Sequence, residues 1–129
     1  MTPISRTVAV ALTAAAGLAL AAPAAFADDQ SPCFFVSQWR GWKAPNPHTL
    51  LLRVSRSVYE ADLTGDTPLL RDPSTHLVSR FHGTSSVCNP LDLQLEVADS
   101  IGMSEPLIVR HLRKLSPEEA AAIPPKFQP

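Results

Sequence analysis

The chain holds two cysteines, Cys33 and Cys88, and these carry the widest choice of chemistry: a bridge, a nucleophile or a metal ligand. No Cys-x-x-Cys is present, which removes thioredoxin-type redox centres and zinc ribbons. Four histidines follow at positions 48, 76, 82 and 111. Only His76 and His82, with Asp72 nearby, come close to a metal set. If residues 77–81 form a strand, the two imidazoles stand about 20 Å apart, and surface or loop histidines are the ordinary reading. The acid pairs Glu60 and Asp62, and Asp92 and Glu96, alternate as solvent-facing residues of strands do. Catalytic carboxylates would have to oppose each other across a cleft. The chain has no Gly-x-Ser-x-Gly elbow, no Gly-rich phosphate loop and no His-Glu-x-x-His. No catalytic set, cofactor motif or metal set is therefore expected. Trp39 and Trp42 flank Arg40-Gly41 and are candidates for a stacking surface as well as core anchors. Three apart on a strand, they should face opposite sides and leave at least one partly exposed, as the best candidate for a binding patch.

The setting for this chemistry comes from the N-terminus. A weakly basic start with Arg6 leads into an unbroken run of Ala, Val, Leu, Thr and Gly over residues 7–22. Pro23 breaks it, and Ala25-Phe26-Ala27 has small residues where a signal peptidase reads. The run is short for a spanning helix, which needs about 20 apolar residues. Residues 1–27 thus read as a signal peptide cleaved between Ala27 and Asp28. That leaves residues 28–129 as a single small domain in the periplasm or secreted, with no stable membrane span after cleavage. Gln30-Ser31-Pro32 lacks the residues that precede a lipid-modified cysteine. In an oxidising compartment, two cysteines read first as one disulfide, with two free thiols or a nucleophile as alternatives.

Eleven Lys and Arg, one of them Arg6 in the signal, face twelve Asp and Glu. This balance gives no reason to expect nucleic acid or an anionic membrane as partner. The basic stretch Arg110-His111-Leu112-Arg113-Lys114 is interleaved with an apolar residue and reads as the solvated side of one element.

Scattered prolines cut the chain into short segments rich in β-branched or alternating apolar residues. The clearest strand spans 91–97, with Leu91, Leu93, Leu95 and Val97 on one face. A hairpin spans 49–63, pairing Val54 with Tyr59, Leu52 with Ala61 and Leu50 with Leu63. That register leaves Arg56-Ser57 as the turn, without the Gly or Asn that tight turns prefer, so a wider loop is also open. Further strands are expected at 38–44, 77–81 and 107–112. Ser116, Pro117 and Glu119 form a capping box for a short helix over 117–123, docked through Ile123 and an Ala. The fold class is mostly β: a small antiparallel sheet or barrel of five to six strands, closed or strongly curved, with one short C-terminal helix.

These pieces line up together: Cys33-Phe34-Phe35, Trp39-Arg40-Gly41-Trp42, Val58-Tyr59 with Leu63, 86–92 around Cys88, Ile108-Val109-Arg110 and 115–120. Over most of residues 28–129 the chain resembles a family of small exported proteins of Gram-negative bacteria that is defined as a domain of unknown function. The resemblance implies a small β-rich envelope protein and no activity. It also implies a four-cysteine pattern, of which Cys33 and Cys88 match two, while the other two would fall near Thr67 and Leu107. Bridged cysteines disappear in pairs, so the resemblance implies that Cys33 and Cys88 are bonded to each other.

Function is accordingly expected in a non-enzymatic binding module of the cell envelope, whose partner is an envelope protein or a small ligand. The alternatives are a small exported inhibitor or stabiliser of an envelope enzyme, and an unrecognised hydrolase.

Overall fold

Apolar residues at every second position of both arms of residues 49–63 build the centre of the fold. In the computed structural model, which describes residues 33–80 and 85–129, β3 (Thr49–Val54) and β4 (Ser57–Leu63) form that hairpin. Before it come β1 (Phe34–Phe35) and β2 (Trp39–Asn46). After it come β5 (His76–Ser79), β6 (Ser86–Val87), β7 (Leu95–Ala98), β8 (Ser104–Leu107) and β9 (Val109–Lys114). The helix α1 (Pro117–Ala122) follows. The nine strands make three antiparallel sheets, in the orders β1-β6, β2-β3-β4-β9 and β5-β7-β8. The fold is mostly β with one short C-terminal helix, as expected, but it divides more strands among more sheets than one sheet or barrel of five to six, and no sheet closes among the described residues. The expected signal segment 1–27 with its Ala27–Asp28 cleavage site lies outside the described residues, as do Phe81 and His82. No helix among the described residues is long and apolar enough to cross a membrane.

The hairpin register differs from expectation by two residues. Val54 pairs with Ser57, Leu52 with Tyr59 and Leu50 with Ala61, so the turn is Ser55-Arg56. A shift of two preserves which side chains share a face. Leu50, Leu52, Val54, Tyr59, Ala61 and Leu63 all enter one core. The tight turn places Ser55 at φ 52°, the left-handed region that Gly or Asn takes more easily. Its N–H donates to Gln38 O at 2.8 Å, a bond from outside the hairpin that fixes this conformation.

Residues 91–97 are only partly a strand. Pro90 opens a 3-10 turn over Pro90–Asp92, and Asn89 Oδ1 accepts from Leu91 N at 3.0 Å. The Asp92 carboxylate accepts from Cys88 N at 2.9 Å and Asn89 N at 3.1 Å. These side-chain bonds offer the backbone an alternative to the ladder, and β7 starts at Leu95. Leu93, Leu95 and Val97 are buried as expected, whereas Leu91 is 81% exposed.

The single strand expected over 107–112 is two strands in different sheets. β8 pairs with β7, and β9 pairs with β4. Ile108, between them, is 66% exposed, and its carbonyl accepts from Thr64 N at 2.9 Å. The chain passes from one sheet to the other at this residue.

The core joins the inward face of the hairpin to Phe34, Leu70, Val87, Leu93, Leu95, Val97, Leu107 and Val109. The hairpin's other face carries Leu51 and Val58, which Leu115, Ala120, Ile123 and Phe127 cover. Ser116 Oγ accepts from Glu119 N at 3.1 Å, and Glu119 Oε2 accepts from Ser116 N at 2.8 Å. This is the expected capping box. A helix of under two turns gains little by itself. It is held by the docking of Ile123 and an Ala, as expected.

Candidate functional site

β2 is an edge strand of the four-stranded sheet, and its irregularity sets the tryptophans. Trp39 pairs with Val54, Gly41 with Arg53 and Trp42 with Leu52, so Arg40 is an extra residue in a bulge. The bulge cancels the parity change of a three-residue spacing. Trp39 and Trp42 therefore lie on the same side and both pack in part against the main core, contrary to the expectation that they would split. Each is half-buried. Trp39 Nε1 donates to Gly41 O at 2.8 Å, across the bulge. Trp42 Nε1 has no hydrogen-bond partner among the described residues, yet it is not a buried unsatisfied group. Its N–H therefore faces solvent.

Trp42 forms one wall of a basin of about 440 Å³ along the free edge of β2. Lys43, Leu70, Arg71, Lys126 and Phe127 also line it. The 3-10 turn Pro68–Arg71 supplies one side, anchored by buried Leu70. The 3-10 turn Pro125–Phe127 supplies the other. Lys43 and Arg71 make no ion pair among the described residues, and Lys126 Nζ sits 4.7 Å from the centre of the Phe127 ring. Asp72, the one carboxylate of the basin, accepts from Ser74 N at 2.8 Å and Ser74 Oγ at 2.7 Å. The backbone bond first, and then the hydroxyl bond, hold its pKa below the ordinary value. Asp72 thus stays ionised in its own turn without pairing to a cation among the described residues, and three cations against one carboxylate face a partly aromatic basin.

A second concavity of about 350 Å³ lies under the turn at Pro90–Asp92. Leu91, Leu93, Leu95, Leu107 and Ile108 line it, and the Arg80–Glu96 ion pair, 2.9 Å, closes one side. It was hidden from sequence reasoning because Leu91 and Ile108 were expected inside strands. The Asn-Pro-x-Asp run at 89–92 was the available signal that the first of these would turn outward.

Cys33 and Cys88 are joined by a disulfide, with Cα atoms 4.0 Å apart. β1 pairs Phe34 with Val87, and Val36 N donates to Ser85 O at 2.8 Å. The alternation of an antiparallel ladder then makes Cys33–Cys88 the next non-hydrogen-bonded pair, where side chains approach most closely. The bridge is consistent with an oxidising, extracytoplasmic setting.

The remaining polar candidates do not converge. His48 Nδ1 lies 3.1 Å from Asp66 on the surface, and His76 and His111 are exposed on different sheets. Among the described residues no three His, Cys, Asp or Glu gather as metal ligands. Glu60 pairs with Arg113 at 2.9 Å, Glu96 with Arg80, and Asp92 with the backbone of its turn. The basic stretch is β9, the other edge of its sheet, with Arg110, His111, Arg113 and Lys114 exposed. Charged edges of this kind discourage strand addition.

Thr67 and Leu107, where the resemblance would place two further cysteines, are both buried. Thr67 Oγ1 donates to Glu105 Oε1 at 3.4 Å, two residues before Leu107, so the two segments are neighbours. Comparison with protein-family models, with characterised protein sequences and with solved structures finds no match for this chain.

Proposed function

We propose that this is an exported cell-envelope protein, periplasmic or secreted, that acts as a non-enzymatic binding module through the basin beside Trp42. On this reading it is a member of the small exported Gram-negative family that its sequence resembles. The observation that carries the reading is Trp42 itself: a half-buried ring on the wall of a basin, with its indole N–H facing solvent. An amphipathic ring in a concave site is the usual contact of a binding surface. Of the acids that alternate along the strands, Glu60 and Glu96 are engaged in ion pairs and Asp92 in its turn instead. The test is retention of envelope components by the immobilised, oxidised protein and by Trp42→Ala. The wild type should hold a component that Trp42→Ala releases. Equal retention by both would remove Trp42 from the function.

One observation favours a second reading, the inhibitor or stabiliser of an envelope enzyme. Leu91 and Ile108, 81% and 66% exposed, flank the apolar concavity and would suit a protein contact. A co-purifying enzyme lost from Leu91→Asp but kept by Trp42→Ala would select it.

A further inference from the structure

The charge of the Trp42 basin narrows its ligand. Lys43, Arg71 and Lys126 reach it from three separate elements, and none makes an ion pair among the described residues. The chain as a whole is slightly acidic, at −1. Three unpaired cations around one basin are thus a local feature rather than a general surplus. Asp72 offsets only one of them: Ser74 holds its carboxylate in the ionised form, it makes no ion pair with a basin cation, and three cations stand against one anion.

The free edge of β2 suggests strand addition by an extended peptide, but its backbone argues against this. Register shifts at Arg40 and between Lys43 and Asn46 break the ladder, and Pro45 and Pro47 lack a donor. Bulges and edge prolines blunt an edge against pairing. What remains for recognition is side chains: the Trp42 ring with its indole N–H, and three cations, of which Lys126 lies over the Phe127 ring. The basin volume, about 440 Å³, falls in the range of small-ligand sites.

We propose that the basin binds an acidic saccharide, with a pyranose face stacked on Trp42 and its carboxylates met by Lys43, Arg71 and Lys126. This rests on the reading of the Trp42 basin as the binding surface. The apolar C–H face of a sugar suits an indole face, and its hydroxyl oxygens can accept from Trp42 Nε1. Carboxylates form charge-assisted hydrogen bonds with the ammonium and guanidinium groups.

The test is calorimetric titration of the oxidised protein with tri-mannuronate and with β-1,4-mannotriose, which has the same ring and linkage without the charge. Tri-mannuronate should bind about tenfold more tightly at low salt, since exposed ion pairs contribute modestly each. The preference should shrink as salt is raised. Lys43→Gln/Arg71→Gln/Lys126→Gln should abolish the preference, bringing the two sugars to similar affinity, and Trp42→Ala should weaken both sugars. Equal binding of the two sugars to wild type would overturn the acidic-ligand inference and leave the basin reading standing. Tri-mannuronate binding that survives Trp42→Ala would overturn the basin reading itself. Binding of neither sugar, or tighter binding of inorganic phosphate or of a single-stranded trinucleotide, would overturn the saccharide assignment.

Discussion

Replacing both bridged cysteines, as Cys33→Ser/Cys88→Ser, should remove a large part of the folding stability. The bridge spans a sequence separation of 55 residues, and the chain-entropy relation for a loop of that length makes its loss cost about 4 kcal/mol. Both cysteines are exposed, so serine at either position should add little cost of its own. The local structure offers no substitute for the bridge. β1 and β6 are each two residues long, yet they deliver Phe34 and Val87 to the core, with the Phe34 ring 4.9 Å from Tyr59. A two-residue ladder cannot hold itself in water. Domains of this size have a total stability of about 5–15 kcal/mol. The double variant should therefore lose about 15–30 °C in melting temperature. Urea unfolding of wild type and double variant at neutral pH measures the difference directly, and hydrogen exchange at Phe34 and Val87 shows whether the β1–β6 pair opens first. A stability difference below about 1 kcal/mol, with Phe34 amide protection retained, would refute the loop-closure argument.

Four further outcomes rest on particular residues. Leu93→Ala should cost about 2–4 kcal/mol, whereas Leu91→Ala should stay within about 0.5 kcal/mol, and equal losses would restore an unbroken 91–97 strand. Ser55→Gly should raise stability by about 0.5–1 kcal/mol by relieving the positive φ, while Ser55→Val should lower it; matched unfolding curves check the sign. Ser116→Ala should cost about 1 kcal/mol through the lost cap, read by urea unfolding. The same cap responds to acid. The N–H of Ser116 first, and then Arg113, lower the Glu119 pKa in the folded state. A lowered folded pKa means that this stabilisation is present above the ordinary carboxylate range and is lost as pH falls through the folded value. Glu119→Gln should therefore flatten the acid limb of the stability profile below about pH 4.5.

Much of the fold was legible because some signals are local. The capping box of Ser116 and Glu119 needs only residues three apart, and the helix forms where those residues say. Alternation in 49–63 sorts six apolar side chains onto one face whichever even register the strands adopt. The export reading pointed to a bridge, and the two cysteines do join. What tertiary structure decided was everything that depends on one added residue or on a neighbour distant in sequence. Arg40, bulged out of the β2–β3 ladder, turns Trp39 and Trp42 to the same side, and no spacing rule reveals a bulge. The hairpin turns one residue earlier, at Ser55-Arg56, where Ser55 N also bonds Gln38 O outside the hairpin. Ile108 ends one strand and releases the next into another sheet because β4 and β7 each claim a side of it. The three cations beside Trp42, at positions 43, 71 and 126, are far apart in the chain, and only the turns on either side of β2 bring them around one basin. Patterns of period two and caps of span three are written in the chain, whereas bulges, sheet changes and convergent charges arise from long-range packing.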